Sequence, residues 1–248
     1  MKRKVIIHKH LFKNAGTTFD WSLKKNFGED FCDHRDDEPM RKEGQPYLIR
    51  YLKEHPNIKA LSSHHVWFRF EPDVEVELLP VYWVRHPIER IRSVYNFEKQ
   101  QKSNSLGAQM AKKMNFKEYI AWRMRVDVPP TIRDFHTRHF AGVKTKASLK
   151  KIHLDWAYAE IEKCTFIGIV DLYDKSIKHF EEEFKNKGID VDLSYKVQNS
   201  FQDISKINVE ERMQNVLNDL GEIANEVLLK NRYDIEIYKY IKQTRFNQ

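Results

Sequence analysis

The chain has 248 residues, of which 41% are hydrophobic and 32% charged, and a formal net charge of +7. That balance excludes a disordered or fibrous chain and describes a folded protein with a sizeable core, while the positive excess favours anionic partners: nucleotides, acidic glycans, nucleic acid or an anionic membrane surface. Two cysteines exclude a disulfide framework and a cysteine-rich metal centre, the apolar run in the opening MKRKVIIHKH is too short for a signal-peptide core, and no stretch reaches bilayer-spanning length. The expectation is one soluble, cytoplasmic domain over residues 1–248, with no transmembrane segment and an open oligomeric state.

The most informative stretch is Val5 to Leu23, VIIHKHLFKNAGTTFDWSL. A short apolar run turns through Lys13-Asn14-Ala15-Gly16-Thr17-Thr18 and continues with helical spacing, which predicts strand, anion-binding loop and helix. Gly16 would let the backbone bend close to a ligand, amide N–H groups would point inward, and Lys13 would add a full positive charge. The Gly-x-x-x-x-Gly-Lys-[Ser/Thr] spacing of a nucleoside triphosphatase loop is absent. Residues 29–44 are charged and aperiodic, predicting a loop in which Asp33, His34, Asp36 and Asp37 form a solvated surface.

Pro46 opens a short helix that ends before Pro56, and Ile58 to Ser62 reads as a second strand delivering Ser63-His64-His65 to its carboxyl end, where parallel sheets place ligands. Pro80 to Val84 reads as a third strand. Arg85-His86-Pro87 then passes into a helix on which Ser93 lies about two turns on, so an arginine fork and a hydroxyl can bracket one anion. Residues 98–114 read as a polar flap, Phe116 to Arg125 as a helix, and Arg133 to Phe140 as another, ending at Gly142. Ser148 is placed to cap a long helix with Ile152, Trp156 and Ile161 inward; Thr165 to Val170 reads as a fourth strand, Asp174 to Phe184 as a helix, Gln198-Asn199-Ser200 as a polar loop, and Val209 onward as helical. Strands alternating with helices predict an α/β fold: a mostly parallel central sheet of about four to five strands flanked by helices.

These segments together resemble the sulfotransferases that use 3′-phosphoadenosine 5′-phosphosulfate (PAPS), in particular the carbohydrate branch with uronyl and heparan sulfate enzymes and bacterial relatives. The family's 5′-phosphosulfate loop, roughly Lys-x-[Ala/Gly]-Gly-Thr-[Thr/Ser], is matched by Lys13 through Thr18. Its 3′-phosphate segment, roughly Arg-x-Pro-x-x-Arg-x-x-Ser-x-Tyr, is matched by Arg85, Pro87, Arg90, Ser93 and Tyr95. Thr137-Arg138 with Ala141-Gly142, Phe166-Ile167-Gly168 with Ser176, and Asp234 to Tyr238 are weaker echoes. Where relatives often carry Gly before a single His or a His-Gly-His pattern, this chain has Ser63-His64-His65, and His86 stands where Asp is common.

The resemblance implies a P-loop-like sulfotransferase fold and sulfuryl transfer from PAPS to a hydroxyl of an acceptor, a glycan or glycolipid rather than nucleic acid, leaving adenosine 3′,5′-bisphosphate (PAP). Lys13, Asn14, Ala15, Gly16, Thr17, Thr18, Arg85, Ser93 and Arg138 would bind the donor. His65, or else His64, would be the general base with Lys13 stabilising the leaving phosphate, and no metal would be required. The rival readings are a small-molecule kinase with an atypical phosphate loop, for which Asp171 is the one candidate Mg²⁺ ligand, and a non-enzymatic polyanion-binding module.

Overall fold

The structure is a computed structural model describing residues 2–196 and 208–246. The predicted loop at Gln198-Asn199-Ser200 lies outside the described residues. The backbone divides into two compact units, each built from separate stretches: 1–84, 139–142 and 156–199 in the first, and 85–138, 143–155 and 200–248 in the second.

The first unit holds a five-stranded sheet, with β1 Arg3–Lys9, β2 Phe31–Asp33, β3 Ala60–Ser63, β4 Val76–Val84 and β5 Phe166–Ile169 in the order β2-β3-β1-β4-β5. Every pairing is parallel. Helices α1 Gly16–Phe27, α2 Asp37–Glu43 and α3 Gln45–Glu54 follow β1 and β2, and α9 Tyr173–Asn186 follows β5. Alternation along β1 sends Ile6 to one face, where it packs with Phe19 and Leu23 of α1 and with Phe180 and Phe184 of α9. Val5 and Ile7 go to the other face, against Met40, Leu48 and Leu52 of α2 and α3. Both faces of the sheet are covered, so strands with near-continuous apolar runs are stable there. Gly168 of β5 lies against the Trp83 ring of β4, where an added Cβ would come within 2.7 Å of Trp83 Cε3.

The chain's remaining helices are α4 Pro87–Gln100, α5 Leu106–Lys113, α6 Phe116–Met124, α7 Phe135–Ala141, α8 Lys151–Lys163, α10 Val209–Leu220, α11 Ala224–Lys230 and α12 Arg232–Phe246. In the second unit a carboxylate organises the start of α7. Asp234, fully buried on α12, accepts from the His136 amide at 2.9 Å, the Thr137 amide at 2.8 Å and the Thr137 hydroxyl at 2.7 Å. These amides are helix-terminal donors with no intrahelical acceptor, so the carboxylate acts as their cap from a distant part of the sequence. The two weak motif echoes at Thr137-Arg138 and Asp234 are thereby one hydrogen-bonded structure.

Several elements depart from the sequence reading. The charged stretch 29–44 contains the edge strand β2 and the short helix α2; Phe31 and Cys32 alone supply the apolar content of β2, and pairing with β3 compensates for weak local propensity. The flap expected over 98–114 is largely helical. α4 runs on to Gln100 because Glu98 is buried, paired with Arg123 Nη2 at 2.6 Å and hydrogen-bonded by the Tyr119 hydroxyl, and Ser105 caps α5 through the Ala108 amide. β4 begins at Val76, with Pro80 inside it opposite Ile7. On α8, Ile152 and Trp156 are exposed at 48% and 39%, and Leu154, Ala157 and Ile161 form the buried stripe. The amide before α8 at Lys150 is accepted by His153 Nδ1 at 2.9 Å.

Asp134 precedes α7 with φ 41° and accepts from the amides of Tyr233 and Asp234. Burial, and next the charge of Asp234, push its carboxyl up to about 7. The folded state therefore binds a proton that the unfolded chain releases near pH 4, so this group's contribution to stability falls as pH rises from about 4 to about 7. Asp134→Asn keeps the acceptor oxygen and tolerates left-handed backbone. Chemical denaturation across pH should show the variant gaining on the wild type through that window and remaining more stable above it; parallel curves would contradict the assignment.

Candidate functional site

The loop after β1 is shaped by two left-handed residues, Lys13 with φ 63° and Ala15 with φ 58°. Ala15 is the N-cap residue of α1, offers no capping side chain, and no acidic residue occupies the helix's first turn. Thr18 and Phe19 donate back to the Ala15 carbonyl. The amides of Ala15, Gly16 and Thr17 have no protein acceptor among the described residues. Successive N–H groups at the positive end of a helix of 12 residues, in a loop bent by left-handed backbone and with no acid in the first turn, are an arrangement that can hold an anion. Thr17 is exposed and Thr18 buried, and the Asn14 amide side chain holds the Phe12 carbonyl at 3.0 Å, closing the turn.

Gly16 serves a different end from the one the sequence suggested. Its backbone is helical; the unusual torsions belong to Lys13 and Ala15. A Cβ at Gly16 would overlap the imidazole of His10, so glycine is required there by the close approach of that ring.

His10 belongs to a histidine cluster within the first unit. Asp20, one helical turn beyond Gly16, accepts from His8 Nδ1 at 2.6 Å with one oxygen and from His10 Nδ1 at 2.8 Å with the other. Burial alone would raise the Asp20 carboxyl; the charge His8 can carry and the hydrogen bonds from both rings outweigh it and hold the carboxyl well below the usual range. Burial pushes the His8 imidazolium down, with Asp20 pulling the other way, and His8 Nε2 is buried with no hydrogen-bond partner. The His64 ring lies 4.0 Å from that of His10, centroid to centroid, and its Nδ1 donates to the His10 carbonyl at 2.7 Å. A carbonyl can only accept, so neutral His64 carries its lone pair on Nε2. Burial, followed by the neighbouring His10, pushes His64 down to about 4, which keeps it neutral around pH 7. The His65 amide donates to Ser63 Oγ at 3.2 Å.

His8, His10 and Asp20 are the one set with metal-compatible spacing among the described residues, their ligand atoms lying within 4.8 Å of one another. Each carboxylate oxygen, however, already takes a separate Nδ1–H, and His8 Nδ1 also meets Ser62 Oγ at 3.1 Å, which describes a doubly hydrogen-bonded carboxylate. The strand beneath is fixed by Lys9, fully buried, which donates to the Phe68 carbonyl at 3.0 Å and to the Tyr82 hydroxyl at 2.9 Å and so ties the segment following His65 to β1. Burial lowers the Lys9 ammonium to about 8.

In the second unit, Arg85 is the residue after Val84, the last of β4, and Pro87 opens α4. Arg85 Nε is buried with no hydrogen-bond partner among the described residues, and Ser93, two turns into α4, likewise has none for its hydroxyl. A guanidinium donor buried without an acceptor is costly unless a ligand supplies one. Arg90 is instead part of the fold, donating to the Thr131 carbonyl at 2.5 Å with its guanidinium 3.9 Å from the centre of the Phe135 ring. Arg138 is similarly engaged: it donates to the carbonyls of Arg133, Thr145 and Ala147 at 3.1, 2.5 and 2.7 Å, an arrangement that staples backbone and argues against its being offered to a ligand.

A family model described as "Sulfotransferase family" matches residues 1–241. The chain belongs to the sulfotransferase family. It is similar to an uncharacterized protein of Archaeoglobus fulgidus, 27% identical over 251 residues, with 97% of each chain covered. No solved structure matches it. Among the described residues of this sulfotransferase, no helix is long and apolar enough to cross a membrane.

Sequence reasoning named the loop and Arg85 as candidates and passed over His10 and Asp20. The signal was present: His8 and His10 are two apart at the exit of a strand and so share a face, and Asp20 follows Gly16 by four on a helix. The placement of His10 has a direct check. Gly16→Ala should lower the free energy of unfolding by roughly 1–3 kcal/mol, the cost of overpacking, whereas Thr17→Ala at the exposed neighbour should lie within about 0.5 kcal/mol of wild type. Equal stabilities for the two variants would contradict the contact between the His10 ring and Gly16.

Proposed function

We propose that this sulfotransferase moves a sulfuryl group from PAPS to a hydroxyl of a carbohydrate or glycoconjugate acceptor, releasing PAP, and that its two units act together as one sulfotransferase domain. The observation that carries the proposal is the run of unpartnered amides at Ala15, Gly16 and Thr17 in the loop that Lys13 opens. Topology supports it. β3, β1 and β4 are parallel neighbours and so end on the same edge of the sheet; they lead respectively into His64-His65, the Lys13 loop and, by one peptide bond, Arg85. That edge, where strand order reverses, is where open parallel sheets bind ligands. The positive charge of the chain supports an anionic donor and an acidic or heavily hydroxylated acceptor.

In this scheme Lys13 and the loop amides, with Asn14 and Thr18 shaping the turn, receive the 5′-phosphosulfate, and Arg85 and Ser93 receive the 3′-phosphate and fix the donor's position. The bond from sulfur to the 5′-phosphate oxygen breaks as a bond from sulfur to the acceptor oxygen forms. The acceptor's proton passes to a base, and the charge left on the phosphate is met by donors already oriented towards it. No step calls for a metal. The base is one of the histidines after β3. The motif pattern favours His65; the neutral tautomer of His64, with Nε2 unprotonated beside the loop cluster, favours His64, and we assign the proton to His64.

Calorimetric titration should show tight, selective binding of PAP over ADP with Mg²⁺; preference for ADP with Mg²⁺ would indicate a kinase, and binding that depends on salt without nucleotide preference would indicate a polyanion module. Lys13→Ala should lower kcat roughly 10²-fold or more, and Arg85→Ala should act mainly by raising the KM of the donor. His64→Ala should lose about 10²-fold or more in turnover while His65→Ala retains most of it; the reverse outcome returns the base to His65.

A further inference from the structure

We propose that His10 is itself a ligand for the donor's 5′-phosphate, presented for that purpose by Asp20, and that the nucleotide binds together with a proton taken up on His10 Nε2. The inference rests on the sulfotransferase reading for the identity of the anion and on the first unit's geometry for everything else.

The Asp20 carboxylate can only accept, so His10 Nδ1 carries a hydrogen whether the ring is neutral or charged. The orientation is over-determined: one Asp20 oxygen holds His10, the other holds the fully buried His8, and the His64 ring closes over the opposite side. Held so, the ring presents its other nitrogen against the Cα of Gly16, the middle residue of the three with unpartnered amides. His10 Nε2 has no protein partner among the described residues, and it is absent from the nitrogens that are fully buried without one. It is thus a side-chain group that borders the loop's unpartnered amides from the β1 side.

The consequence is a matter of charge. A neutral ring with hydrogen on Nδ1 would turn a lone pair towards an arriving phosphate; a protonated ring turns a charged N–H towards it. Phosphate at the loop therefore favours the protonated form, and by linkage protonation favours phosphate. The groups against His10 are Asp20 from α1, His8 from β1 and His64 from the segment after β3. Asp20 is the one carboxylate among them and is already shared with His8, so a phosphate at the loop would supply the counter-charge for a protonated His10. Asp20 is a positioning residue here, since it acts through His10.

The experiment is isothermal calorimetry of PAP binding in buffers of different ionisation enthalpy between about pH 6.5 and pH 8.5, a range that spans imidazole titration. Wild type should take up a substantial fraction of a proton, up to about one, beyond that bound by PAP itself. His10→Gln, which keeps an N–H donor without a titratable group, should lose that uptake and bind PAP roughly 10-fold more weakly, the loss of a charge-assisted hydrogen bond. His64→Gln should retain the uptake. Asp20→Asn should reduce it, and side-chain ¹⁵N spectra should show His10 no longer fixed with hydrogen on Nδ1. Uptake that is unchanged in His10→Gln, or that vanishes with His64→Gln alone, overturns the proposal while leaving PAP as the ligand. Absence of PAP binding by folded wild type overturns the functional reading as well. Zinc bound one to one by wild type and lost in His10→Gln would assign the cluster to a cation instead.

Discussion

Three backbone amides at the start of α1, without acceptors among the described residues, are the constraint around which the first unit is arranged. Helix N-termini ordinarily satisfy such donors with a serine, threonine or aspartate cap. Here Ala15 stands at the cap position in left-handed conformation and cannot accept from them, and the first turn of the helix has no acid. The donors are consequently left open to an acceptor from outside the protein, and the positive end of the helix favours an anion there. The rest of the local structure preserves that vacancy of acceptors: Asp20, the nearest carboxylate on the helix, is turned away and occupied on both oxygens by His8 and His10.

The same economy appears in the second unit, where arginines divide by what they touch. Arg90, Arg123 and Arg138 are buried and matched to carbonyls, an aromatic face or Glu98, and they hold helices and loops together. Arg85 keeps a buried Nε with no hydrogen-bond partner among the described residues. A buried guanidinium donor is costly without a hydrogen bond, so the matched groups read as structure, and the open Arg85 Nε is the one the proposed reading offers to a ligand. Asp234 shows the complementary case: a carboxylate so fully engaged by α7 amides and His136 that its motif position is explained by folding alone.

Most of the sheet was legible in the sequence because a parallel strand covered on both faces needs a run of apolar residues, and β1, β4 and β5 have one; β3, Ala60–Ser63, is a shorter and more polar strand than the reading from Ile58 suggested. β2 was not legible, since an edge strand of three residues borrows its stability from β3 and leaves only Phe31 and Cys32 as a trace within a charged stretch. The helix α5 was hidden for a related reason: its neighbourhood looks polar until Glu98 is known to be buried against Arg123, a pairing 25 residues apart that no local pattern reveals. Lys13 to Thr18, Arg85 and Ser93 were visible as motifs, whereas the ring contact that requires glycine at position 16 was not. Periodicity and composition report what a residue tolerates; that a histidine ring six positions earlier leans on Gly16 is a tertiary fact. The motif position of Arg138 is compatible with either a ligand or three backbone carbonyls, and in the fold it donates to the carbonyls.

The central claim is that the Ala15, Gly16 and Thr17 amides receive the phosphate of the donor's 5′ end while Arg85 receives its 3′-phosphate. Its most direct test is nuclear magnetic resonance of ¹⁵N-labelled protein titrated with PAP, following those three amides and the Arg85 Nε–H. The account predicts that all four signals shift together along one saturable curve, and that the 5′-monophosphate of adenosine moves the three amides without Arg85. Saturation of PAP binding with the loop amides unmoved would contradict it.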